Sequence, residues 1–246
     1  NHILSFEKGT GLVVCEPGVT FQDLADVFLE RGHTVPVSPG TAFVTVGGAV
    51  ASDVHGKNHD KAGSFGDHVV WIDLATADGE VLRISPSSDP ETFAATIGGM
   101  GLTGVMLRIC FRMISAPSPN VVVQEQRVAN LDAFIDALRA CRESATYSVG
   151  WIDGTATGAA LGRGILRTAE FAEEPADMRR GFRPRLSVPF DLPWSLINHT
   201  SARAFNEVYY SRAPMVPTTR KSTIGAYYYP LDSIGHWNRL YGQRGF

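Results

Sequence analysis

The chain has 246 residues, with 22 Lys and Arg against 25 Asp and Glu and a formal net charge of −3, so it lacks the basic excess of a general nucleic-acid binder. Hydrophobic residues make up 44% and charged residues 19%, ordinary globular usage that excludes wholesale disorder. Cys15, Cys110 and Cys141 are far apart and odd in number, which excludes a disulfide framework or a Cys-based zinc site and leaves each as a small buried hydrophobe.

The chain opens Asn1-His2-Ile3 without a methionine, a basic leader or a long apolar stretch, and is read as cut at its front. Residues 11–16 predict a strand stopped by Pro17-Gly18. Thr20, with Asp23 three positions on, predicts a capped helix whose apolar side is Phe21, Leu24, Ala25 and Phe28 and which ends before Gly32. A strand-like stretch follows at 33–37. The longest run without charge, 32–52, is broken by Pro36, Pro39, Gly40, Gly47 and Gly48 and is no membrane helix. Residues 69–77 and 80–84 flank Asp78-Gly79, the signal of a tight hairpin. Asp89-Pro90 opens a short helix carrying Phe93, Ala94 and Ile97, ended by Gly98-Gly99. From 105 to 114 the odd positions are apolar while Arg108 and Arg112 fall on even ones, a half-exposed strand.

Residues 116–119, Ala-Pro-Ser-Pro, read as a linker. Beyond it a strand is expected at 121–128, then a helix capped by Asn130 with Leu131, Phe134, Ile135 and Leu138 on one side. Strand-like pieces recur at 146–153 and 162–171. Residues 179–193 read as a long loop or lid. The aromatic runs Val208-Tyr209-Tyr210 and Ala226-Tyr227-Tyr228-Tyr229 are strand candidates.

Glycine, 25 residues in all, exceeds the usual share of about 7% and concentrates between Gly40 and Gly104. A helix opening at Thr45-Val46-Gly47-Gly48 would turn bare backbone N–H groups toward a planar or anionic ligand. Neither GxGxxG nor GxxxxGK[ST] is present, so dinucleotide and P-loop folds of those types are excluded. His55, His59 and His68 follow. On a helix His55 and His59 would share a face and, with Asp53 or Asp60, hold a metal. Gly56-Lys57-Asn58 favours a loop instead, and no HExxH glutamate is present. A packing or surface role and a place in a ligand pocket are the other readings.

The run PGTAFVTVGGAVASDVHGKNHDKAGSFGDHV from Pro39 resembles FAD-linked oxidases of the vanillyl-alcohol oxidase type. So do Asp73-Leu-Ala-Thr-Ala-Asp-Gly79, Ile97-Gly-Gly-Met-Gly-Leu-Thr-Gly104 and the tail with Tyr229-Pro-Leu-Asp232, Trp237-Asn-Arg239 and Tyr241-Gly242. HGKNH and that tail are similar to the members acting on lipid-linked sugars. The resemblance covers essentially the whole chain. It implies an α+β fold: an FAD-binding domain of that type at 1–116 and a second α+β substrate domain with an antiparallel sheet at 120–246. It also places the pyrophosphate loop upstream of position 1 and further site residues beyond Phe246, so an internal piece of a longer oxidase is expected.

By the same resemblance Pro39, Gly40, Thr41, Thr45, Gly47, Gly48, Ser52, His55 and Gly56 line the FAD, with Gly101, Gly104 and Val105 approaching through their backbones. His55 and Lys57 are the candidate catalytic pair, Lys57, Trp151 and Tyr210 meet the substrate, and no metal is expected. The implied reaction takes a secondary alcohol of a lipid-phosphate-linked sugar to a ketone, with a short-chain reductase partner completing an epimerisation. The expected location is cytoplasmic or peripheral to the inner membrane, any contact running through residues 182–194. Two rival readings stay open: an oxidase of a soluble alditol, sugar lactone or hydroxy acid, and a non-catalytic carbohydrate- or lipid-binding protein.

Overall fold

The structure, a computed structural model, describes residues 1–173, 186–191 and 194–242. Two compact units divide it: Asn1–Pro119 with Glu173, and Asn120–Ala172 with the described residues from Leu186 onward.

In the first unit β1 (Ile3–Glu7) and β2 (Leu12–Cys15) form an antiparallel pair. Helix α1 (Phe21–Phe28) begins at the expected cap: Asp23 N–H donates to Thr20 Oγ1 at 3.1 Å and Thr20 N–H to the Asp23 carboxylate at 2.9 Å. β3 (His33–Thr34) stops sooner than the strand-like 33–37, because Pro36 has no amide to give a ladder. Then come α2 (Val46–Ala51), α3 (His59–Ala62), β4 (Val69–Ala75), β5 (Val81–Ile84), α4 (Pro90–Thr96), β6 (Val105–Arg112) and β7 (Ile114–Ser115). Five strands make one antiparallel sheet in the order β1-β2-β6-β4-β5, while β3 pairs with β7. One face of the sheet, with Val13, Ile72, Leu74, Ile109 and Phe111, packs on Phe21, Leu24 and Phe28 of α1, on Val46 and Val50 of α2, and on Phe65. Each such side chain contributes roughly 1.5–3 kcal/mol by leaving water.

The Asp78-Gly79 hairpin closes on Thr76 and Glu80, with Thr76 N–H on Glu80 O at 2.9 Å and Gly79 at φ +87°, the three-residue form that needs a left-handed residue last. On β6 the predicted alternation holds for Ile109 and Phe111, both fully buried, but Val105 is 66% and Leu107 40% exposed. A register shift opposite Asp73 and Leu74 breaks the pleat there. Ala94, expected on the buried side of α4, is exposed, and Thr96 is buried instead.

The second unit contains β8 (Asn120–Val128), α5 (Leu131–Ser144), β9 (Tyr147–Ile152), β10 (Gly164–Phe171), β11 (Leu186–Ser187), α6 (His199–Arg212), β12 (Thr218–Thr223), α7 (Ile224–Tyr228) and β13 (Ile234–Gly235). Its antiparallel sheet runs β12-β8-β10-β9, and β11 pairs parallel with β13. Antiparallel sheets with helices apart from the strand order make the chain α+β.

Asn130 caps α5 as predicted, but of the four expected core residues only Phe134 is buried; Leu131, Ile135 and Leu138 are 38–44% exposed. The helix is turned so that Phe134 lies over Gly150 and Gly164, where any Cβ would meet its ring at 2.6–2.7 Å, and Ala137 and Cys141 face Leu166. Both aromatic strand candidates are helical. Residues 208–210 lie in α6, opened by Asn198 Oδ1 accepting the Thr200 and Ser201 N–H groups at 3.0 and 3.1 Å. Residues 226–228 lie in α7, capped by Thr223. Tyrosine's strand preference depends on packing, and capped starts prevailed here. The neighbouring strand β12, Thr-Thr-Arg-Lys-Ser-Thr, has no apolar alternation and gave no signal. Of the loop read at 179–193, only Leu186–Asp191 falls within the described residues.

Candidate functional site

In the first unit, three backbone segments pack beside α1, α2 and the HGKNH segment. The loop of 36–41 docks on the HGKNH segment: Asn58 Nδ2 donates to Pro36 O at 2.8 Å, and the α-carbon of Gly56 lies against Ser38, where a Cβ would stand 2.7 Å from the carbonyl oxygen. Residues 42–44 lie along the start of α1, with Gln22 N–H on Ala42 O at 2.9 Å and Phe21 N–H on Val44 O at 3.0 Å. The turn after α4 docks on the C-terminal end of α2: Gly98 N–H donates to Val50 O at 2.9 Å and Met100 N–H to Ala51 O at 2.8 Å. Gly98, Met100 and Gly101 take φ values of +69°, +54° and +75°, a tight left-handed turn.

The expected bare amides at the opening of α2 are absent. Val46 N–H is taken by Val19 O, Gly47 N–H by Pro17 O, both at 2.8 Å, and Gly48 N–H by Thr45 Oγ1 at 3.0 Å. The physical reason for glycine at 47 is packing: a Cβ would meet Pro17 Cβ at 2.8 Å. Gly56 is held by Ser38, and Gly104, at φ +154°, by the Ala75 carbonyl, 2.4 Å from where a Cβ would be. Gly40 and Gly101 differ, since nothing lies within 4 Å of an added Cβ. Gly40, Ser52, His55, Gly101 and Val105 are exposed, and Pro39, Thr41, Thr45, Gly48, Gly56, Lys57 and Gly104 are half-buried.

His55 pairs with Ser64 in an isolated bridge, and its ring meets that of His59 edge-on at 5.5 Å. Asp53, weighed as a metal ligand, spends its carboxylate internally, accepting from Gly66 N–H and Ser64 Oγ, each at 2.8 Å. Among the described residues no group of three or more His, Cys, Asp or Glu is placed to hold a metal ion. Sequence reading missed Asp53 as an anchor and Asn58 as a buried group. The signal for Asp53 was its place directly after the α2 helix, where Asp tolerates a left-handed turn.

Trp151 and Tyr210 lie in the second unit. Trp151, on β9, meets Tyr209 edge-on at 4.8 Å, and Tyr209 OH accepts from Arg167 Nη2 at 2.9 Å, while Arg167 also pairs with Glu125. The guanidinium of Arg163 lies 4.6 Å from the Tyr210 ring centre, and Tyr210 OH donates to Val128 O at 3.3 Å. Arg163 bridges Asp153, at 2.8 Å, to Glu207, at 2.6 Å. Burial opposes the charge of Asp153, yet hydrogen bonds from Thr155, Arg163 and Asn206 hold its carboxyl well below the usual range. None of these ion pairs was legible, because each joins residues set opposite only by the strand register and by α6.

The arrangement in the first unit fits a flat group with polar edges. Met100, Leu102 and Val105 are 70%, 89% and 66% exposed beside the open backbone of Gly101. The Oδ1 atom of Asn58, buried in the HGKNH loop, has no hydrogen-bond partner. Residues 1–85 match the family model of an FAD binding domain, with FAD as the cofactor of that domain. A decaprenylphosphoryl-β-D-ribose oxidase of Mycolicibacterium smegmatis is 36% identical over 257 residues, covering 100% of this chain and 55% of that protein. A putative D-arabinono-1,4-lactone oxidase of Neurospora crassa is 28% identical, over 47% of this chain and 21% of its own length. A D-lactate dehydrogenase of Anaerostipes hadrus is 30% identical, over 48% of this chain and 26% of its own. The chain spans about half the length of the first curated relatives it matches.

Proposed function

We propose that this chain is part of an FAD-dependent oxidase that converts a secondary alcohol of a lipid-phosphate-linked sugar to a ketone. The observation that carries the reading is the 36% identity extending over both units, whereas the lactone oxidase and lactate dehydrogenase relatives align with about half of the chain.

When bound, FAD supplies the acceptor for the hydride of the carbinol carbon. Pro39, Gly40 and Thr41, with Ser52, Gly101 and Val105, present the open surface that holds it. Thr45, Gly47, Gly48, Gly56 and Gly104 let the backbone pack closely enough to shape that surface. His55, exposed on its loop, orients the substrate hydroxyl and accepts its proton. Lys57 fixes the loop or meets the anionic phosphate of the substrate. Trp151 and Tyr210 supply aromatic walls to the substrate. Tyr210 acts there by shape, because its hydroxyl is engaged by Val128. The ketone would be consumed by a short-chain reductase, giving the epimeric alcohol.

Among the described residues no helix is long and apolar enough to cross a membrane. Leu186, Phe190 and Trp194 are 70%, 63% and 69% exposed, which supports a peripheral contact with the lipid-bearing substrate's membrane. Residues 182–185, 192 and 193 of the segment proposed for this contact lie outside the described residues.

Full-length protein tested with a prenyl-phosphate ribose against soluble alditols, sugar lactones and hydroxy acids decides the substrate class. Turnover confined to the soluble compounds would favour the second oxidase reading, which the lactone and lactate relatives support. A colourless protein without the absorbance near ~450 nm of an oxidised flavin would leave only the non-catalytic reading. His55→Ala that leaves both turnover and the flavin spectrum unchanged would remove His55 from the mechanism.

A further inference from the structure

The function proposed for His55 requires its loop to be held in one place, and the side chain that does so is not in the HGKNH motif. Asp53 is one of three non-glycine residues with positive φ among the described residues, at +41°. It turns the chain sharply at the end of α2, its own N–H still bonded to Val50 O at 3.1 Å. Its carboxylate reaches across to the returning strand of the loop, with Oδ1 accepting from Gly66 N–H and Oδ2 from Ser64 Oγ, both at 2.8 Å. Ser64 is the residue bridged to His55, and Phe65 N–H closes the same pair of segments on Val54 O at 2.8 Å. Glycines on the facing segments leave room for it: a Cβ on Gly66 would stand 2.8 Å from Asp53 Oδ1, and one on Gly98 would stand 3.4 Å from Asp53 Cβ.

We infer that Asp53 is a positioning residue for His55, tying both ends of the 53–66 loop together so that the imidazole is presented at a fixed place and the loop does not reorganise during turnover. The left-handed backbone is strain of a kind that persists only where surrounding contacts over-determine it, and here those contacts are the two acceptors of one carboxylate. The inference rests on the reading of His55 given above.

The test compares Asp53→Gly, Asp53→Asn and His55→Ala in the full-length FAD-loaded protein, following kcat, KM and hydrogen–deuterium exchange of the 53–66 peptide. Asp53→Gly relieves the φ strain and deletes both acceptors. Asn adopts the same backbone, accepts from Gly66 and donates to Ser64. The expected result is a fall in kcat of about 10- to 100-fold in Asp53→Gly with KM within about threefold, since small misplacement of a reacting group acts on the chemical step. Exchange of 53–66 rises in parallel, and Asp53→Asn recovers both readouts to within about threefold. If His55→Ala lowers kcat and Asp53→Gly does not, the proposal is overturned. If His55→Ala changes nothing, the reading of His55 fails, and exchange alone decides whether Asp53 holds the loop: unchanged exchange in Asp53→Gly overturns that as well. Should Asp53→Gly not fold, Ser64→Ala, which removes one of the two bonds, takes its place with the same expected direction.

Discussion

The bare α-carbon of Gly56 lies against the main chain of Ser38, where a methyl group would stand 2.7 Å from the carbonyl oxygen and 3.0 Å from the amide nitrogen. This contact joins the 36–41 loop to the HGKNH segment. It distinguishes glycines that the fold requires from glycines with open space around them. Gly56→Ala is expected to lower stability by about 1–3 kcal/mol, because neither backbone atom can move aside. Gly40→Ala, with open space around it, should stay within about 0.5 kcal/mol. Urea melts measure both changes, and FAD titration of the folded variants then reads Gly40 as a cofactor contact if affinity falls while stability does not.

Thr45 has two readings that one substitution separates. Its hydroxyl accepts Gly48 N–H at 3.0 Å and caps α2. Thr45→Ala should cost about 1 kcal/mol of stability, and Thr45→Ser should restore it. A loss of FAD affinity in the serine variant as well would show that the threonine methyl, rather than the cap, matters to the cofactor.

Asp153 links stability to pH in the second unit. Its folded-state pKa lies below the unfolded value of about 3.9. Its contribution is therefore fully present above that value and is lost as pH falls through the folded pKa. Asp153→Asn leaves Arg163 with Glu207 alone and is expected to destabilise by about 3 kcal/mol at pH 7. Denaturation series from pH 7 to pH 2.5 should show the difference between wild type and variant constant down to about pH 4 and shrinking below it.

The cysteines should differ sharply in reactivity. Burial, with Cys110 and Glu16 nearby, pushes the Cys15 thiol up to about 12, and burial raises Cys110 too. Cys141 is half-buried on α5. A chromogenic disulfide reagent at pH 8 should modify Cys141 at least about tenfold faster than the other two in the native protein. Comparable rates at Cys15 would mean that the first unit opens far more readily than its fully buried core implies.

Much of the first unit was legible because its signals are local. The cap at Thr20, the glycine of the hairpin and the Asp89-Pro90 start each act over a few residues, and α1, β4, β5 and α4 follow them. The second unit was less legible. Its tyrosine runs pointed to strands by propensity, whereas the caps at Asn198 and Thr223 made them helices. On α5 the apolar spacing gave a face, but Gly150 and Gly164 on two other strands decided which face is buried.

For the site, the sequence by itself determined the residue types: a glycine-rich run, a histidine and lysine in HGKNH, and the match of residues 1–85 to an FAD binding domain. Only the tertiary structure decided what each glycine is for. Gly47, Gly56 and Gly104 are required by Pro17, Ser38 and Ala75, partners 18 to 30 positions away, while Gly40 and Gly101 face open space. It also decided that the amides opening α2 are spent on the 17–19 segment and on the Thr45 hydroxyl, and that the carboxylate of Asp53 ties together the segments flanking the His55 loop. Residue type limits what a position can do, but the steric and hydrogen-bonding demands on it come from atoms that chain folding brings from elsewhere.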